Sequence, residues 1–269
     1  MSLDRAVQAS RIVFITGASS GIGSALARHY AGQGAILGLV ARRADVLEAA
    51  AAALRQAGAE AVVCYPLDVS ETSALRTAAE SFLARFGAPD VVIANAGVSS
   101  GTLTECVEDF ASFKRIFEIN LFGMVATFSP FIAAMRQAAQ RGRPGRLVGI
   151  ASVAGIRGLP GAEAYSASKA AAISYLESLR LEMREAGIKV VTIAPGYIAT
   201  PMTAINPYRM PFLLPADEAA RRFVRAIERG VSYTVIPWQM GLVAKVLRLL
   251  PNALYDRLFA HAPRKPKVL

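Results

Sequence analysis

The sequence predicts a single α/β domain built around a parallel β-sheet. Short apolar segments alternate with stretches of helical periodicity along most of the 269 residues, a pattern typical of repeated βαβ units. A glycine-rich turn follows the first apolar segment and leads directly into a helix. No repeat, low-complexity linker or change in composition marks a second domain before about residue 200.

The strands are predicted from short apolar runs that are bounded by turn or helical signals. In chain order they are Ile12–Thr16, Ile36–Val40, Ala61–Tyr65, Val91–Ala94, Arg146–Ile150, Val190–Ile193 and Tyr233–Ile236. Helical stretches fall between successive members of this series. Parallel pairing is expected, because parallel strands need a crossover that is usually a helix.

The turn after the first strand is Gly17-Ala-Ser-Ser-Gly21-Ile-Gly23. Glycines let the backbone turn tightly and approach a pyrophosphate, and a helix N-terminus stabilises the negative charge. A glycine-rich loop alone is weak evidence, but the strand before it and the helix after it strengthen the signal. The segment predicts a dinucleotide site.

Ser152, Tyr165 and Lys169 predict a site of proton transfer. Tyr165 and Lys169 are four apart in a predicted helix, so their side chains leave one face of it, one turn apart. A neighbouring ammonium is expected to lower the pKa of the phenol from about 10. Ser152, at the end of the preceding strand, would hold a substrate oxygen against Tyr165. These three residues could act as a general acid–base site that adds a proton to, or removes one from, the oxygen of a carbonyl or an alcohol.

Composition argues against several other classes of function. Cys64 and Cys106 make neither a disulfide framework nor a metal cluster, and His29 and His261 lie apart from the candidate residues, so no metal site is expected. The net charge is +10, and the chain from Ile205 onward holds eleven Lys/Arg against four Asp/Glu. These cations are interleaved with apolar residues and accompany no nucleic-acid motif, so no nucleic-acid partner is expected.

The two ends of the chain bear on location. MSLDRAVQAS lacks the apolar region of a signal peptide, so a reducing, cytoplasmic location is expected. No segment is expected to span a bilayer, because Lys245, Arg248 and Pro251 interrupt the C-terminal apolar stretch.

Motifs spaced along residues 10–236 resemble those of the short-chain dehydrogenase/reductase family. They are Thr16-Gly-Ala-Ser-Ser-Gly-Ile-Gly23, Asp68-Val69, Asn95-Ala-Gly97, Asn120, Ser152, Tyr165-x-x-x-Lys169 and Pro195-Gly196. Ala94 stands where the family often has an asparagine, a small departure. The resemblance implies a Rossmann-like, doubly wound sheet of seven parallel strands in a single domain, and NAD(P)-dependent oxidoreduction.

The resemblance also assigns roles. Tyr165 is similar to the family's general acid or base, Lys169 to the residue that lowers its pKa and binds the nicotinamide ribose, and Ser152 to the residue that orients the substrate carbonyl. Asn120 resembles the asparagine that holds a water in the proton relay and completes the catalytic set. Asp68 would contact the adenine. The implied cofactor-binding residues are Gly17, Ser19, Ser20, Gly21, Ile22, Gly23, Asp68, Val69, Asn95, Ala96, Gly97, Tyr165, Lys169, Pro195, Gly196, Ile198 and Thr200.

Arg42 and Arg43 follow the second strand and bear on whether the cofactor is NAD or NADP. A carboxylate at this point would bind the ribose hydroxyls of NAD and repel a 2′-phosphate. Arginine binds phosphate through charge-assisted hydrogen bonds, so NADP(H) is predicted, with more weight on Arg42 than on Arg43.

Each assignment has a structural alternative. Tyr165 and Lys169 could be an exposed pair on a helix, and Asn120 a solvent-facing residue. Asp68 could cap the following helix, although Ser70 suits that role better, and Thr200 could cap a short helix. Either arginine could simply be solvated.

Residues 1–236 are expected to form a dinucleotide-binding catalytic domain that includes a substrate lid, and residues 237–269 an extension of it. Residues 197–216 read as a substrate lid, although their apolar side chains could equally pack on the core. Residues 237–269 read as an apolar and basic helical extension that could meet a membrane interface, a dimer partner or the parent domain. Membrane contact would place the protein at the inner face of a membrane and indicate a lipophilic substrate.

The predicted function is NADPH-dependent reduction of a carbonyl, a ketone or aldehyde, with Tyr165 as general acid. The alternatives are a catalytically silent NADP-binding regulator and a membrane-peripheral adaptor. A homodimer is expected, with a tetramer as the alternative, because the residues after the last strand would obstruct a further interface.

Overall fold

A computed structural model describes residues 10–269. Most of MSLDRAVQAS, on which the expected cytoplasmic location depends, lies outside the described residues. Seven strands form one sheet: β1 (Ile12–Thr16), β2 (Ile36–Ala41), β3 (Ala61–Pro66), β4 (Val91–Ala94), β5 (Arg146–Ile150), β6 (Lys189–Pro195) and β9 (Tyr233–Ile236). A separate ladder pairs β7 (Ile198–Ala199) with β8 (Leu214–Pro215). All seven predicted strands are present, and β2, β3 and β6 are longer than predicted.

The large sheet has the order β3-β2-β1-β4-β5-β6-β9, with every neighbouring pair parallel. The direction of winding reverses between β1 and β4. A crevice forms at the carboxyl ends of the strands at such a reversal, and it is the usual ligand site of this architecture. The doubly wound, Rossmann-like fold is confirmed.

Helices cover both faces of the sheet. On one face lie α1 (Gly21–Ala31), α2 (Ala44–Gln56) and α9 (Ala216–Arg229); on the other lie α3 (Thr72–Phe86), α4 (Asp109–Phe117), α5 (Gly123–Phe128), α6 (Ile132–Gln140) and α7 (Glu163–Glu182). Three further helices come late in the chain. They are α8 (Pro201–Ala204), between β7 and β8, and α10 (Trp238–Leu249) and α11 (Asn252–Phe259), after β9. A π-helical turn, Glu118–Phe122, joins α4 to α5.

The sheet separates two apolar cores because successive strand side chains point to opposite faces. In β1, Val13 and Ile15 face the core beneath α1, α2 and α9, whereas Phe14 faces the other core. The Phe14 ring centroid lies 5.3 Å from that of Phe82 and 4.8 Å from that of Phe131. Aromatic packing thereby fixes α3 and the turn between α5 and α6 against the centre of the sheet.

The expectation that no segment has the length and composition of a membrane span is wrong for Asp109–Gln140. These 32 residues form a nearly continuous helix with a mean hydropathy of 1.5 over an 18-residue window. Core helices pass the same test, and this helix supplies Ile119, Met124 and Phe128 to the second core. Length and composition are therefore weak evidence for a membrane span here.

The C-terminal extension packs back on the catalytic domain. The Arg157 guanidinium donates hydrogen bonds to the carbonyls of Leu247 and Leu250, the latter at 2.8 Å, at the end of α10. It also lies 3.8 Å from the ring centroid of Tyr255 in α11. The Tyr255 hydroxyl donates to the carbonyl of Gly158 at 2.5 Å. Both helices are thus attached to the loop that follows β5.

Candidate active site

A cleft opens at the carboxyl ends of β1, β4, β5 and β6, at the reversal of the sheet. Most of the predicted site residues line it: Gly17, Ser19, Ser20, Gly21, Ile22, Arg42, Asp68, Val69, Asn95, Ala96, Gly97, Ser152, Tyr165, Lys169, Pro195, Gly196, Ile198 and Thr200. Gly23, Arg43 and Asn120 do not line the cleft. Several lining residues next to the motifs were not predicted from the sequence, among them Leu67, Val98, Ile119 and Ala151.

The glycine-rich turn has the backbone that a pyrophosphate site requires. Gly17 and Gly21 have φ angles of +68° and +55°, a left-handed region that favours glycine. Gly23 lies behind the turn, where an added Cβ would meet the carbonyl of Gly17. Its role is therefore to allow close packing of helix and loop.

The N-terminus of α1 is open to an anion. Ser20, the N-cap residue, makes no side-chain capping hydrogen bond, and the first turn carries no acidic side chain. Asn95 fixes the preceding loop by donating from Nδ2 to the carbonyls of Thr16 and Gly17, each at 3.1 Å. Free backbone N–H groups and the helix dipole fit the phosphates of a dinucleotide.

Arg42 and Arg43 occupy different surroundings. Arg42 lines the cleft, is largely exposed and has its Nη1 atom 3.9 Å from Asp68 Oδ2. Arg43 is the N-cap residue of α2 and is not among the residues that line the cleft. The greater weight on Arg42 matches this geometry.

The Asp68 carboxylate is bound within its own loop. It accepts hydrogen bonds from the Ser70 backbone N–H at 3.0 Å, from the Ser70 hydroxyl at 2.8 Å and from Arg115. Burial raises the pKa of Asp68, but the hydrogen bonds from Ser70 and Arg115 outweigh it, and the net pKa is lowered. Neither Asp68 nor Ser70 caps α3, whose N-cap residue is Glu71.

Tyr165 and Lys169 lie on one face of α7, as the spacing predicts. Lys169 is buried and donates a hydrogen bond from Nζ to the carbonyl of Ile150 at 2.8 Å. Its Nζ atom is 6.0 Å from the Tyr165 ring centroid. Burial lowers the pKa of Lys169 to about 8. The alternative of an exposed surface pair is therefore wrong.

The expected lowering of the Tyr165 pKa is not found. Burial raises the pKa of Tyr165, and a hydrogen bond with Ser152 only partly offsets it. Removal of the phenolate from water is the largest cause of this shift, and the nearby Lys169 ammonium donates its hydrogen bond to the Ile150 carbonyl instead. Tyr165 is accordingly protonated at neutral pH.

Ser152 follows β5 and is buried at the floor of the cleft. Its Oγ accepts a hydrogen bond from the Ala154 N–H at 3.1 Å, which fixes the start of a short helical turn, Val153–Gly155. The Ser152 hydroxyl also lies close enough to the Tyr165 side chain to lower the pKa of its phenol. A carbonyl oxygen placed between the two hydroxyls would accept hydrogen bonds from both.

Asn120 is buried behind the cleft rather than in it. Its Nδ2 donates to the Val98 carbonyl and to Ser168 Oγ, each at 3.0 Å, and its Oδ1 accepts from the Val98 N–H at 2.8 Å. A Cβ placed on Gly97 would lie 3.3 Å from Asn120 Oδ1 and 3.6 Å from Lys169 Nζ. The solvent-facing alternative is wrong, and the side chain joins the loop after β4 to α7.

Thr200 lies at the cleft and also at the start of a short helix. It lines the cleft and is the N-cap residue of α8, where its N–H donates to Thr203 Oγ1 at 3.1 Å. Met202 in the same helix also lines the cleft. The segment from β7 to β8 therefore borders the site, as a lid would.

Comparison with known proteins identifies the family. A model described as short chain dehydrogenase matches residues 11–208. The 11-beta-hydroxysteroid dehydrogenase-like 3 protein of Arabidopsis thaliana is 37% identical over 240 residues, covering 87% of this chain and 76% of the relative. A short chain dehydrogenase/reductase from Burkholderia phymatum, solved in complex with NAD, is 25% identical with a TM-score of 0.78, covering 97% of this chain and 98% of that one.

An alcohol dehydrogenase from Thermococcus sibiricus, complexed with 5-hydroxy-NADP, is 29% identical with a TM-score of 0.74, covering 84% of this chain and 96% of that one. The cleft, the glycine-rich turn and the serine, tyrosine and lysine at its floor agree with these similarities. The chain belongs to the short-chain dehydrogenase family and is an NAD(P)-dependent oxidoreductase.

Proposed function

We propose that this enzyme reduces a lipophilic ketone or aldehyde with NADPH. The observation that carries the proposal is the meeting of Ser152, Tyr165 and Lys169 in one cleft with the open N-terminus of α1. The cofactor, when bound, supplies a hydride from C4 of its nicotinamide to the carbonyl carbon. Tyr165, whose phenol is protonated at neutral pH, donates its proton to the carbonyl oxygen, giving the alcohol.

The other catalytic residues position the reaction. Ser152 holds the carbonyl oxygen against Tyr165, and Lys169 holds the nicotinamide ribose through its ammonium. Asn120 positions the water that returns a proton to Tyr165. Its π-helical turn supports that role, because such turns open the regular backbone hydrogen bonding and are frequent at functional sites.

NADPH is proposed over NADH because of the charge at the end of β2. Arg42 is exposed at the cleft, and its neighbour Asp68 is already engaged by Arg115 and Ser70. The guanidinium is therefore available to a 2′-phosphate. Asp68, Val69 and the other implied residues around the adenosine complete this end of the site.

A lipophilic substrate is supported by the lid and by one relative. Met202 lines the cleft, and Phe212 and Leu213 between α8 and β8 are exposed, so an apolar cover is available. The Arabidopsis relative bears the name of a hydroxysteroid dehydrogenase. From that name we carry over to this chain only the proposal that its substrate is an apolar carbonyl compound.

The proposal includes contact with a membrane surface from the cytoplasmic side. Trp238, Leu242, Val246 and Leu249 are exposed along α10 at helical spacing, and Leu254 and Leu258 are exposed in α11. Lys245, Arg248 and Arg257 flank them, a composition that favours an anionic interface.

We also propose a homodimer, rather than a tetramer, built on the helices that carry Asn120 and Tyr165. Phe110, Phe122 and Val125 in and around α4 and α5, and Leu181 in α7, are exposed apolar residues. Exposed apolar side chains on these helices suit contact with a partner copy of the same helices.

Transfer of deuterium tests the reaction directly. We expect NADPH deuterated at the transferred position of C4 to label the carbinol carbon of a product drawn from a panel of long-chain and cyclic ketones and aldehydes. NADPH binding without any label in product would instead favour the catalytically silent regulator or the adaptor, and would contradict the proposal.

A further inference from the structure

The last residues of the chain, Arg264–Leu269, form a tail that lies against the catalytic domain. The Gly101 N–H donates to the Pro266 carbonyl at 2.9 Å, and the Val268 N–H donates to Ser100 Oγ at 2.9 Å. The Ser112 hydroxyl donates to the Leu269 carbonyl at 3.3 Å. The tail thus runs along the loop after β4 and reaches α4.

Side chains on either side of Lys265 fix its place in this tail. Lys267 Nζ pairs with Asp109 Oδ1 at 2.9 Å, and Asp109 also accepts a hydrogen bond from the Leu103 N–H at 2.7 Å. The aliphatic part of Arg264 covers Gly161, where an added Cβ would lie 2.8 Å from Arg264 Cβ. The tail therefore joins the loop after β4 to the loop before α7.

This arrangement brings Lys265 to the catalytic tyrosine. Its Nζ atom lies 5.7 Å from the Tyr165 ring centroid, slightly nearer than that of Lys169. Lys169 is bonded to the Ile150 carbonyl, but within residues 10–269 Lys265 has neither a hydrogen bond from its ammonium nor an ion pair. The side chain is partly buried, and burial lowers the pKa of Lys265 to about 8.

An ammonium held partly out of water without a counter-charge destabilises the folded protein. Neither a cation–π contact nor an effect on the Tyr165 pKa explains why Lys265 is held there. The distance to the Tyr165 ring is near the outer limit of about 6 Å for a cation–π contact. Lys265 also does not overcome the effect of burial on the Tyr165 pKa, which stays raised. An anionic group on the substrate would supply the missing partner.

We propose that Lys265 is a substrate-recognition residue that binds a carboxylate on the carbonyl substrate. The proposal rests on the carbonyl reduction proposed above and narrows its substrate class. Because the Lys265 Nζ atom lies 5.7 Å from the centroid of the ring that carries the phenol oxygen, we expect the carboxylate and the reacting carbonyl to be only a few bonds apart. The substrate is then an oxo acid with an apolar remainder that lies beneath the lid.

Matched acids and esters test this assignment. We expect the wild-type enzyme with NADPH to prefer a linear oxo acid over its methyl ester by about tenfold or more in kcat/KM, as a charge-assisted hydrogen bond implies. A series with the carbonyl progressively farther from the carboxylate should show an optimum at short separation. Lys265→Met should remove the preference, and Lys265→Arg should retain much of it.

Arg136→Met is the control, because it removes a positive charge from an exposed site in α6 and leaves the contacts of the tail intact. It should leave the acid-to-ester ratio unchanged, and melting temperatures of all variants would report any loss of folding. A wild-type ratio near one, or a ratio that survives in Lys265→Met, would overturn the inference while the ester is still reduced. Absence of NADPH-dependent reduction of every carbonyl would overturn the proposed function and the inference together.

Discussion

Arg42 and Arg43 show how adjacent identical residues acquire different roles from their surroundings. Arg42 lines the cofactor cleft, whereas Arg43 begins α2 outside it. We predict that Arg42→Ala weakens NADPH binding by about tenfold or more and changes NADH binding little, since one charged hydrogen bond to phosphate is lost. Isothermal titration with both cofactors measures this.

Arg43→Ala is the matched control and should have a much smaller effect. Equal losses of NADPH affinity in the two variants would contradict the assignment of the 2′-phosphate to Arg42. Equal losses of NADPH and NADH affinity in Arg42→Ala would show that the side chain does not read the phosphate.

The lowered pKa of Lys265 has a consequence for stability. The folded protein loses this proton near pH 8, whereas the unfolded chain keeps it up to its usual pKa of 10.5. The unfolded state therefore binds more protons between these values, and stability rises with pH in that window. We predict that the free energy of unfolding of the wild type, relative to Lys265→Met, increases between about pH 8 and about pH 10.

Urea unfolding at a series of pH values measures this difference. Lys169 has a similar shift but is present in both proteins, so its contribution cancels. A constant difference across the window would mean that the folded protein does not depress the pKa of Lys265.

The sequence predicted the residues of the site better than their environment. The four-residue spacing placed Tyr165 and Lys169 together, because helical geometry alone determines it. The predicted direction of the Tyr165 pKa shift was wrong, because the direction depends on how far tertiary packing removes the phenol from water. Lys265 gave no signal, since it comes 100 residues after Tyr165 and reaches it only through the fold of the tail.

At the scale of elements, Arg157 determines where the C-terminal helices lie. It donates to the last carbonyls of α10, where the helix dipole favours a cation, and stacks on Tyr255 of α11. We predict that Arg157→Met lowers stability by about 1–3 kcal/mol. Amide hydrogen exchange should rise selectively in α10 and α11.

Arg136→Met, at an exposed site in α6, controls for loss of charge. Unchanged exchange in α10 and α11 after Arg157→Met would contradict the role of Arg157. The sequence could not decide whether these helices met the domain, a partner or a membrane, because Arg157 and Tyr255 are far apart in the chain. The same three alternatives were open for the basic tail, and in the structure Lys265 and Lys267 face the catalytic domain.

At the scale of the whole molecule, the strand series predicted the sheet closely, since buried parallel strands are continuous apolar runs. Two apolar surfaces remain exposed, one on α4, α5 and α7 and one on α10 and α11. We predict that they act independently. Leu181→Glu should yield a monomer in sedimentation equilibrium and still bind anionic phospholipid vesicles.

The converse variant, Leu242→Glu combined with Leu249→Glu, should remain dimeric and lose vesicle binding, because charge is introduced only into the α10 surface. Each variant is the other's control. Wild-type protein that stays in the supernatant with anionic vesicles would contradict membrane contact, and a wild-type monomer would contradict the dimer.

Replacement of Tyr165 by phenylalanine tests the central claim most directly. The change removes one hydroxyl from the cleft, and Tyr175→Phe removes one from the same helix outside the cleft lining. With a carbonyl that the wild type reduces, we predict that Tyr165→Phe lowers kcat/KM by about 10²–10⁴. NADPH affinity should change little, and Tyr175→Phe should stay close to the wild type. Reduction by Tyr165→Phe at nearly the wild-type rate would contradict proton donation by Tyr165.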